Sequence, residues 1–195
     1  MPCKRSGCID NKSNYCWSQN DPYFRAAVIG VIDELNKTKS GKVEDKKKRK
    51  EFFFVGLNAL TLNFFLNEFD SILLQKHPVV IICSTNLLPL AAYILGDNRQ
   101  VRAVFTNSCT VDDIIATLRR INISGRQVVK PRNLGYHQML TPRDLMIFKH
   151  YMASGNISCL INTYNGGIST CYNWRARVSR KFGVRKLEHL LIPDW

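Results

Sequence analysis

The hydrophobic pattern of the first fifty residues predicts one amphipathic helix. Apolar side chains recur at helical spacing from Phe24 to Leu35. Asp21 precedes this stretch as a helix cap, and Pro22 suits the first helical position because its missing amide hydrogen needs no partner there. We therefore expect a helix over residues 22–37.

Between residues 51 and 125, short apolar runs alternate with longer helical segments. The runs are rich in β-branched and aromatic side chains, and they begin at Phe52, Val79 and Val101. The helix after the last run is expected from about Val111 to Ile121. Strands that alternate with helices form parallel sheets covered by helices. The pattern therefore predicts an α/β unit with a parallel sheet.

The last third of the chain opens with a strong helix signal. Thr141 can cap the helix, Pro142 stands at its first position, and Asp144 can reach back to the amide of the cap. Gly155 is expected to end this helix in the left-handed conformation. A short second helix over residues 157–164 should follow.

A tight turn and a third helix are predicted next. The turn is Asn165–Gly166–Gly167, in which glycine admits a positive φ without steric cost. A helical wheel of Ser169 to Phe182 gives a buried face made of Cys171, Trp174, Val178 and Phe182. The opposite face is polar and basic, with Ser169, Tyr172, Asn173, Ala176 and Arg180 at its centre, Arg175 and Arg177 beside it, and Lys181 near the buried edge.

The net charge of +13 is concentrated at the two ends of the chain. Residues 1–50 carry +6 and residues 140–195 carry +5. A basic excess favours polyanionic partners, because phosphate contacts release condensed counterions. A merely basic protein without such a partner is the alternative. We expect the run Lys46–Lys50 to be a solvated linker or helix end rather than a DNA-binding arm.

Cysteine usage and scattered histidines argue against an exported protein or a metalloprotein. The seven cysteines are an odd number, and no export leader precedes them, which favours the cytoplasm. Cys3, Cys8 and Cys16 lack CxxC spacing, so we predict no metal and no cofactor. No nucleophile, base and orienting group occur at a recognisable spacing, so no enzyme is predicted. The apolar stretch over residues 79–95 is short and interrupted, so no membrane span is expected.

Residues 52–125 resemble the second half of a response-regulator receiver domain. In that family an aspartate ends the strand that corresponds to Phe52–Leu57, and here Gly56 takes its place. The lysine of the last strand falls near Asn107, and Ser84 or Thr85 corresponds to the hydroxyl residue. An acyl phosphate needs the aspartate, and a magnesium ion needs acidic ligands. The resemblance thus implies a degenerate, non-phosphorylatable pseudo-receiver, and acetyl phosphate should yield no magnesium-dependent adduct by mass spectrometry.

The region from Leu140 to Leu190 resembles the LuxR-type helix-turn-helix module. Its opening L-T-x-R-E corresponds to Leu140-Thr141-Pro142-Arg143-Asp144, and its closing K-L-G-V to Lys181-Phe182-Gly183-Val184. Asn162 replaces a usual alanine, Trp174 replaces a frequent histidine, and the turn is one residue short. The whole chain is similar to enterobacterial fimbrial-operon regulators, such as the common-pilus regulator and relatives that act on type 1 fimbriae.

These resemblances imply three regions and a regulatory role. We expect an N-terminal helix and basic linker in residues 1–50, a pseudo-receiver α/β domain in 51–132, and an all-α four-helix LuxR-type domain in 138–195. The protein is predicted to be a cytoplasmic, nucleoid-associated transcription regulator of fimbrial genes that acts without phosphorylation. Its expected partners are double-stranded DNA and a second copy of the chain, or a different regulator in a heterodimer.

The predicted DNA contacts all lie on the third C-terminal helix. Tyr172, Asn173 and Ala176 are expected to face base edges. Phosphate contacts are predicted for Ser169, Thr170, Arg175, Arg177, Arg180 and Lys181. The alternative is an interaction protein that pairs with another regulator and antagonises it without reading DNA. The unusual Asn162, Trp174 and shortened turn motivate that alternative.

Overall fold

A computed structural model describes residues 15–16, 22–37, 52–68, 77–121 and 134–193. The predictions made for Cys3, Cys8, Asp21 and the run Lys46–Lys50 lie outside these ranges. Over the described ranges, no helix is long and apolar enough to cross a membrane.

In the described residues, four parallel strands form one sheet in the order β1-β2-β3-β4. They are β1 (Tyr15–Cys16), β2 (Phe53–Leu57), β3 (Val79–Cys83) and β4 (Val101–Thr106). The three apolar runs are confirmed as strands of a parallel sheet. The two-residue β1 was not predicted, because so short a strand has no periodicity and forms only by pairing with β2.

Helices cover both faces of the sheet. On one face lie α1 (Pro22–Lys37) and α4 (Val111–Arg120), which pack on side chains such as Phe54 and Phe105. The other face is covered by α2 (Leu62–Asn67) and α3 (Leu88–Asp97), which pack on Val55 and Ile81. Since both faces are buried, the strands are nearly continuous hydrophobic runs. The predicted bounds of α1 are confirmed.

Residues 140–193 contain three α-helices and one 3₁₀ helix. They are α5 (Pro142–Ser154), α6 (Ile157–Tyr164), α7 (Ile168–Lys181) and the 3₁₀ helix Leu187–Leu191. The expected fourth helix is therefore a short 3₁₀ segment. The side chains of Leu187 and Leu190 are buried in the core.

The C-terminal helices share a continuous core with the α2–α3 side of the sheet. Phe148 of α5 packs on Phe182 with ring centroids 4.7 Å apart. These rings belong to the same buried cluster as Phe65 of α2 and Leu90 of α3. The predicted boundaries at residues 132 and 138 flank the start of the last described range, residue 134, and the division into two units stays a prediction.

Candidate nucleic-acid interface

The start of α5 is fixed by reciprocal capping. Thr141 Oγ1 accepts a hydrogen bond from the Asp144 amide at 3.2 Å, and Asp144 Oδ2 accepts one from the Thr141 amide at 2.9 Å. At the other end, Gly155 adopts φ 65° and ends the helix in the left-handed conformation. Both features were predicted, because each depends only on residues close together in sequence.

Asp144 also holds α7 against α5. Its carboxylate is 1% exposed, and it pairs with Arg177 at 2.8 Å and with Lys181 at 2.7 Å. The Lys181 ammonium also donates to the carbonyl of Met139. A buried carboxylate needs such partners because burial removes its hydration. Burial alone would raise the pKa of Asp144, but hydrogen bonds from Lys181 and Thr141 and the charge of Arg177 lower it to about 2.

A second polar network joins α5, α7 and the 3₁₀ helix. The Arg175 guanidinium lies 5.1 Å from the ring centroid of Tyr172 and 5.6 Å from that of Tyr151. Arg175 Nη1 donates to the Tyr151 hydroxyl at 3.1 Å, and that hydroxyl donates to Glu188. The hydrogen bond from Tyr151 holds the pKa of Glu188 below its usual value. The head group of Arg175 is thus engaged within the protein.

The turn between α6 and α7 differs from the prediction. Neither glycine has a positive φ; Asn165 does, with φ 47°. Asparagine tolerates this conformation because its short polar side chain can hydrogen-bond locally. Gly166 is required for space instead, since a Cβ there would lie 3.1 Å from the Trp174 ring and 3.2 Å from the sulfur of Cys171. The turn therefore depends on Asn165 for conformation and on Gly166 for close packing.

The predicted buried face of α7 is confirmed, with Trp174 at its border. Cys171, Val178 and Phe182 are buried, whereas Trp174 is half-buried. The Trp174 ring packs edge-to-face on Tyr164, with centroids 5.8 Å apart. The guanidinium of Arg143 lies 4.4 Å above the same ring. Trp174 thus holds α7 to both α5 and α6.

The nine residues predicted to contact DNA divide into two groups. The exposed group consists of Ser169, Thr170, Tyr172, Asn173, Ala176 and Arg180. The half-buried group consists of Arg175, Arg177 and Lys181, whose head groups make the contacts described above. Within the part of the chain that the structure describes, Arg180 makes no ion pair. The open face of α7 therefore combines polar side chains with one uncommitted arginine.

The surroundings of α7 add donors that sequence reasoning missed. Gly167 precedes the helix without a side-chain acceptor, so the first amides of α7 can donate to an anion. Arg185 and Lys186 are exposed just after the helix. The sequence could have indicated these two donors, because a basic pair begins two residues after Gly183. The paired role of Asp144 had no such signal, because its partners lie more than thirty residues away.

The carboxyl edge of the sheet carries neutral side chains. Asn58, Ser84 and Asn107 follow β2, β3 and β4. Gly56 lies inside β2, and a Cβ there would meet the ring of Phe24 at 3.1 Å. In the described residues, no three His, Cys, Asp or Glu side chains are grouped so that they could hold a metal ion.

The fold and the site together define a mixed α/β protein whose C-terminal helices expose a polar, basic surface. Residues 2–122 match the family model described as EcpR N-terminal domain, and the chain belongs to that family. It is similar to the Vi polysaccharide biosynthesis protein TviA of Salmonella typhi, with 29% identity over 181 residues, which cover 93% of this chain and 96% of TviA. No solved structure matches the chain.

The comparisons confirm part of the predicted family relationship. The resemblance to a family of EcpR-like regulators is supported at the level of the N-terminal region. The matched region ends before α5, so the LuxR-type character of the C-terminal helices stays a prediction.

Proposed function

We propose that the protein is a DNA-binding transcription regulator that places the exposed face of α7 in the major groove. The observation that carries this proposal is the combination of a firmly held helix with an open polar face. Asp144 and Trp174 fix α7 on its neighbours, while six of the nine predicted contact residues stay exposed. Helix-turn-helix proteins read DNA with a helix presented in this way.

The structure refines the role that we propose for each residue. Tyr172, Asn173 and Ala176 face base edges, where asparagine can pair with adenine and the alanine methyl can contact thymine. Ser169, Thr170, Arg180 and the first amides of α7 contact phosphates. Three predicted contacts remain: Arg175, Arg177 and Lys181. They act mainly by positioning α7, and they add positive charge near the DNA backbone.

We infer that the regulated genes are fimbrial and that the protein acts as a homodimer in the nucleoid. Membership of the EcpR N-terminal domain family supports a regulatory role. The fimbrial target genes are inferred from the resemblance of the sequence to fimbrial-operon regulators, and the homodimer from the usual dimeric binding of helix-turn-helix proteins. The neutral ends of β2, β3 and β4 support regulation without a phosphorylated aspartate.

The test is a binding-site selection with the purified full-length protein and random double-stranded DNA. Titrations over a range of salt concentrations then compare the wild type with Arg180→Ala. Loss of one phosphate contact should weaken binding to all sequences and reduce the salt slope by about 1. Arg120→Ala is the matched control, since it removes the same charge from α4 on the other side of the sheet.

The base contacts need a separate measurement. Asn173→Ala should cost roughly 1–3 kcal/mol mainly at one position of the selected site. If no sequence is enriched, or if both Arg180→Ala and Asn173→Ala bind like the wild type, α7 is not the reading helix.

The second candidate is a regulator that pairs with another regulator and silences it without reading DNA. The observation that favours it is the engagement of Arg175, Arg177 and Lys181 within the protein, which reduces the charge available for phosphates. Two exposed apolar side chains, Met146 on α5 and Ile168 on α7, are available to a protein partner. Footprinting discriminates, because this candidate gives no protected site with the purified protein alone.

A further inference from the structure

A cavity of about 480 Å³ lies at the carboxyl ends of β2, β3 and β4. The first turns of α1, the turns after the three strands and the segment after α7 all contribute to its wall. Small-molecule sites usually have volumes of roughly 300–1,000 Å³, and in parallel α/β sheets they occupy this edge, where the strand-end turns converge. The cavity is thus of suitable size and position for a ligand.

The wall of the cavity is mostly apolar. Phe24, Ile114 and Leu190 are among its apolar residues, and of the residues that the structure describes no lysine, arginine, aspartate or glutamate lines it. An ionic ligand would lose its hydration there without gaining a counter-charge. The chemistry of the wall therefore favours a neutral molecule.

Polar side chains near the strand ends give the cavity its capacity for specific recognition. Ser84, Asn86 and Asn107 line it, and across the described residues their side chains make no hydrogen bond. A few open polar groups in an apolar wall are what orients a bound small molecule. The Ser84 hydroxyl can donate or accept a hydrogen bond, and each asparagine offers an NH₂ donor and an oxygen acceptor. An amide or hydroxyl group of a ligand could therefore bond to any of the three side chains.

The segment after α7 closes one side of the cavity. His189, Ile192 and Pro193 line it next to the buried Leu190. A molecule in the cavity therefore contacts both the sheet and the chain that continues from α7.

We propose that this cavity binds a small uncharged amphipathic molecule. Its apolar body lies against Phe24, Ile114 and Leu190, and its amide or hydroxyl group bonds to Asn86, Asn107 and Ser84. The inference goes beyond the proposed DNA binding and does not depend on it, because none of the DNA-contact residues lines the cavity.

The probe for this site is N-phenyl-1-naphthylamine, a neutral fluorescent molecule with one hydrogen-bond donor. Titration of the full-length protein should give a saturable fluorescence increase with one probe per chain. The comparison probe is 1-anilinonaphthalene-8-sulfonate, which has the same rings and an added negative charge. It should bind the cavity more weakly, although the net charge of +13 favours anions elsewhere on the surface.

Two variants of α1 locate the bound probe. Ala27 lines the cavity and Ala26 does not, and both are exposed. Ala27→Trp should weaken binding of the neutral probe at least about tenfold, because the indole occupies the cavity mouth. Ala26→Trp should bind like the wild type. In the wild type, the probe should also shift the side-chain amide signals of Asn86 and Asn107 in NMR spectra.

Several results would overturn the proposal. They are binding that does not saturate, equal binding by the two tryptophan variants, or unchanged amide signals of Asn86 and Asn107. A change of oligomeric state in Ala27→Trp without loss of probe binding would show that a second copy covers this edge instead. Circular dichroism of both variants checks that they are folded. Failed DNA binding with intact probe binding would reject only the proposed function.

Discussion

At the scale of single residues, Asp144 combines two tasks that are usually separate. Its carboxylate caps α5 through Thr141 and pairs with Arg177 and Lys181 of α7. A nearly inaccessible carboxylate is stable only while these donors surround it. The orientation of α7 therefore depends on the two carboxylate oxygens of Asp144, at the start of α5.

Asp144→Asn is expected to destabilise the protein while leaving α5 capped. The amide oxygen can take the place of Oδ2 and still accept from Thr141 and Lys181. The negative charge and the Oδ1 acceptor of Arg177 are lost, at a cost of about 1–3 kcal/mol. Urea unfolding measures this difference. Asp113→Asn is the matched control, because Asp113 makes a similar exchange with Thr110 at the exposed start of α4. Equal effects of both substitutions would show that the ion pairs with α7 add nothing beyond the charge at a helix start.

The stability contributed by Asp144 should also depend on pH. Its pKa falls from the usual 3.8 to about 2 in the folded protein. A lowered folded pKa means that the contribution is complete above the unfolded value and is lost as the pH falls towards the folded value. The difference in unfolding free energy between wild type and Asp144→Asn should be constant above about pH 5 and should shrink at about pH 3. A difference that grows on acidification would contradict the ion pairs.

At the scale of elements, the turn before α7 sets how closely this helix approaches α6. Gly166 faces Trp174 and Cys171, whereas nothing lies within 4 Å of a Cβ built on Gly167. The two neighbouring glycines therefore have different roles, although they look equivalent in the sequence.

Gly166→Ala should destabilise the protein by about 1–3 kcal/mol, because the added methyl group overpacks the contact with Trp174. Gly167→Ala should change the stability by less than about 0.5 kcal/mol, since φ −59° suits alanine and the site is open. Thermal unfolding of the two variants and the wild type measures both differences in stability. Similar losses in both would mean that backbone conformation, rather than space, selects glycine here.

Elements with local signals were predictable from the sequence, and elements with distant partners were not. Pro22 and the Thr141 capping box mark helix starts within four residues, so α1 and α5 were found with their limits. The strand β1 exists through pairing with Phe54 and Val55, about forty residues away. For the same reason the exposed and buried faces of α7 were predicted, whereas the partners of Arg177 and Lys181 were not.

At the scale of the whole molecule, the continuous core joins the sheet to the C-terminal helices. Phe148 and Phe182 belong to the same buried cluster as side chains of β2 and β3. Elements that share one core usually unfold together. We therefore expect one unfolding transition for the described parts of the chain.

Phe148→Leu should lower the stability of the sheet and of α7 by the same amount, about 1–2 kcal/mol. Hydrogen exchange of the amides in β3 and α7 under native conditions measures both regions at once. Met146→Leu is the control, because this side chain of the same helix is half exposed. Reduced protection in α7 with unchanged protection in β3 would show two independent units.

Glu188 connects the exposed face of α7 to the cavity at the edge of the sheet. Through Tyr151 its carboxylate is connected to Arg175 beside the exposed Tyr172, and the next residue, His189, lines the cavity. Any molecule that displaces Glu188 from Tyr151 changes the support of Arg175, and any contact that withdraws Arg175 changes the support of Glu188. Reciprocity then requires that the factor by which a cavity ligand alters binding at α7 equals the factor by which binding at α7 alters the affinity for that ligand.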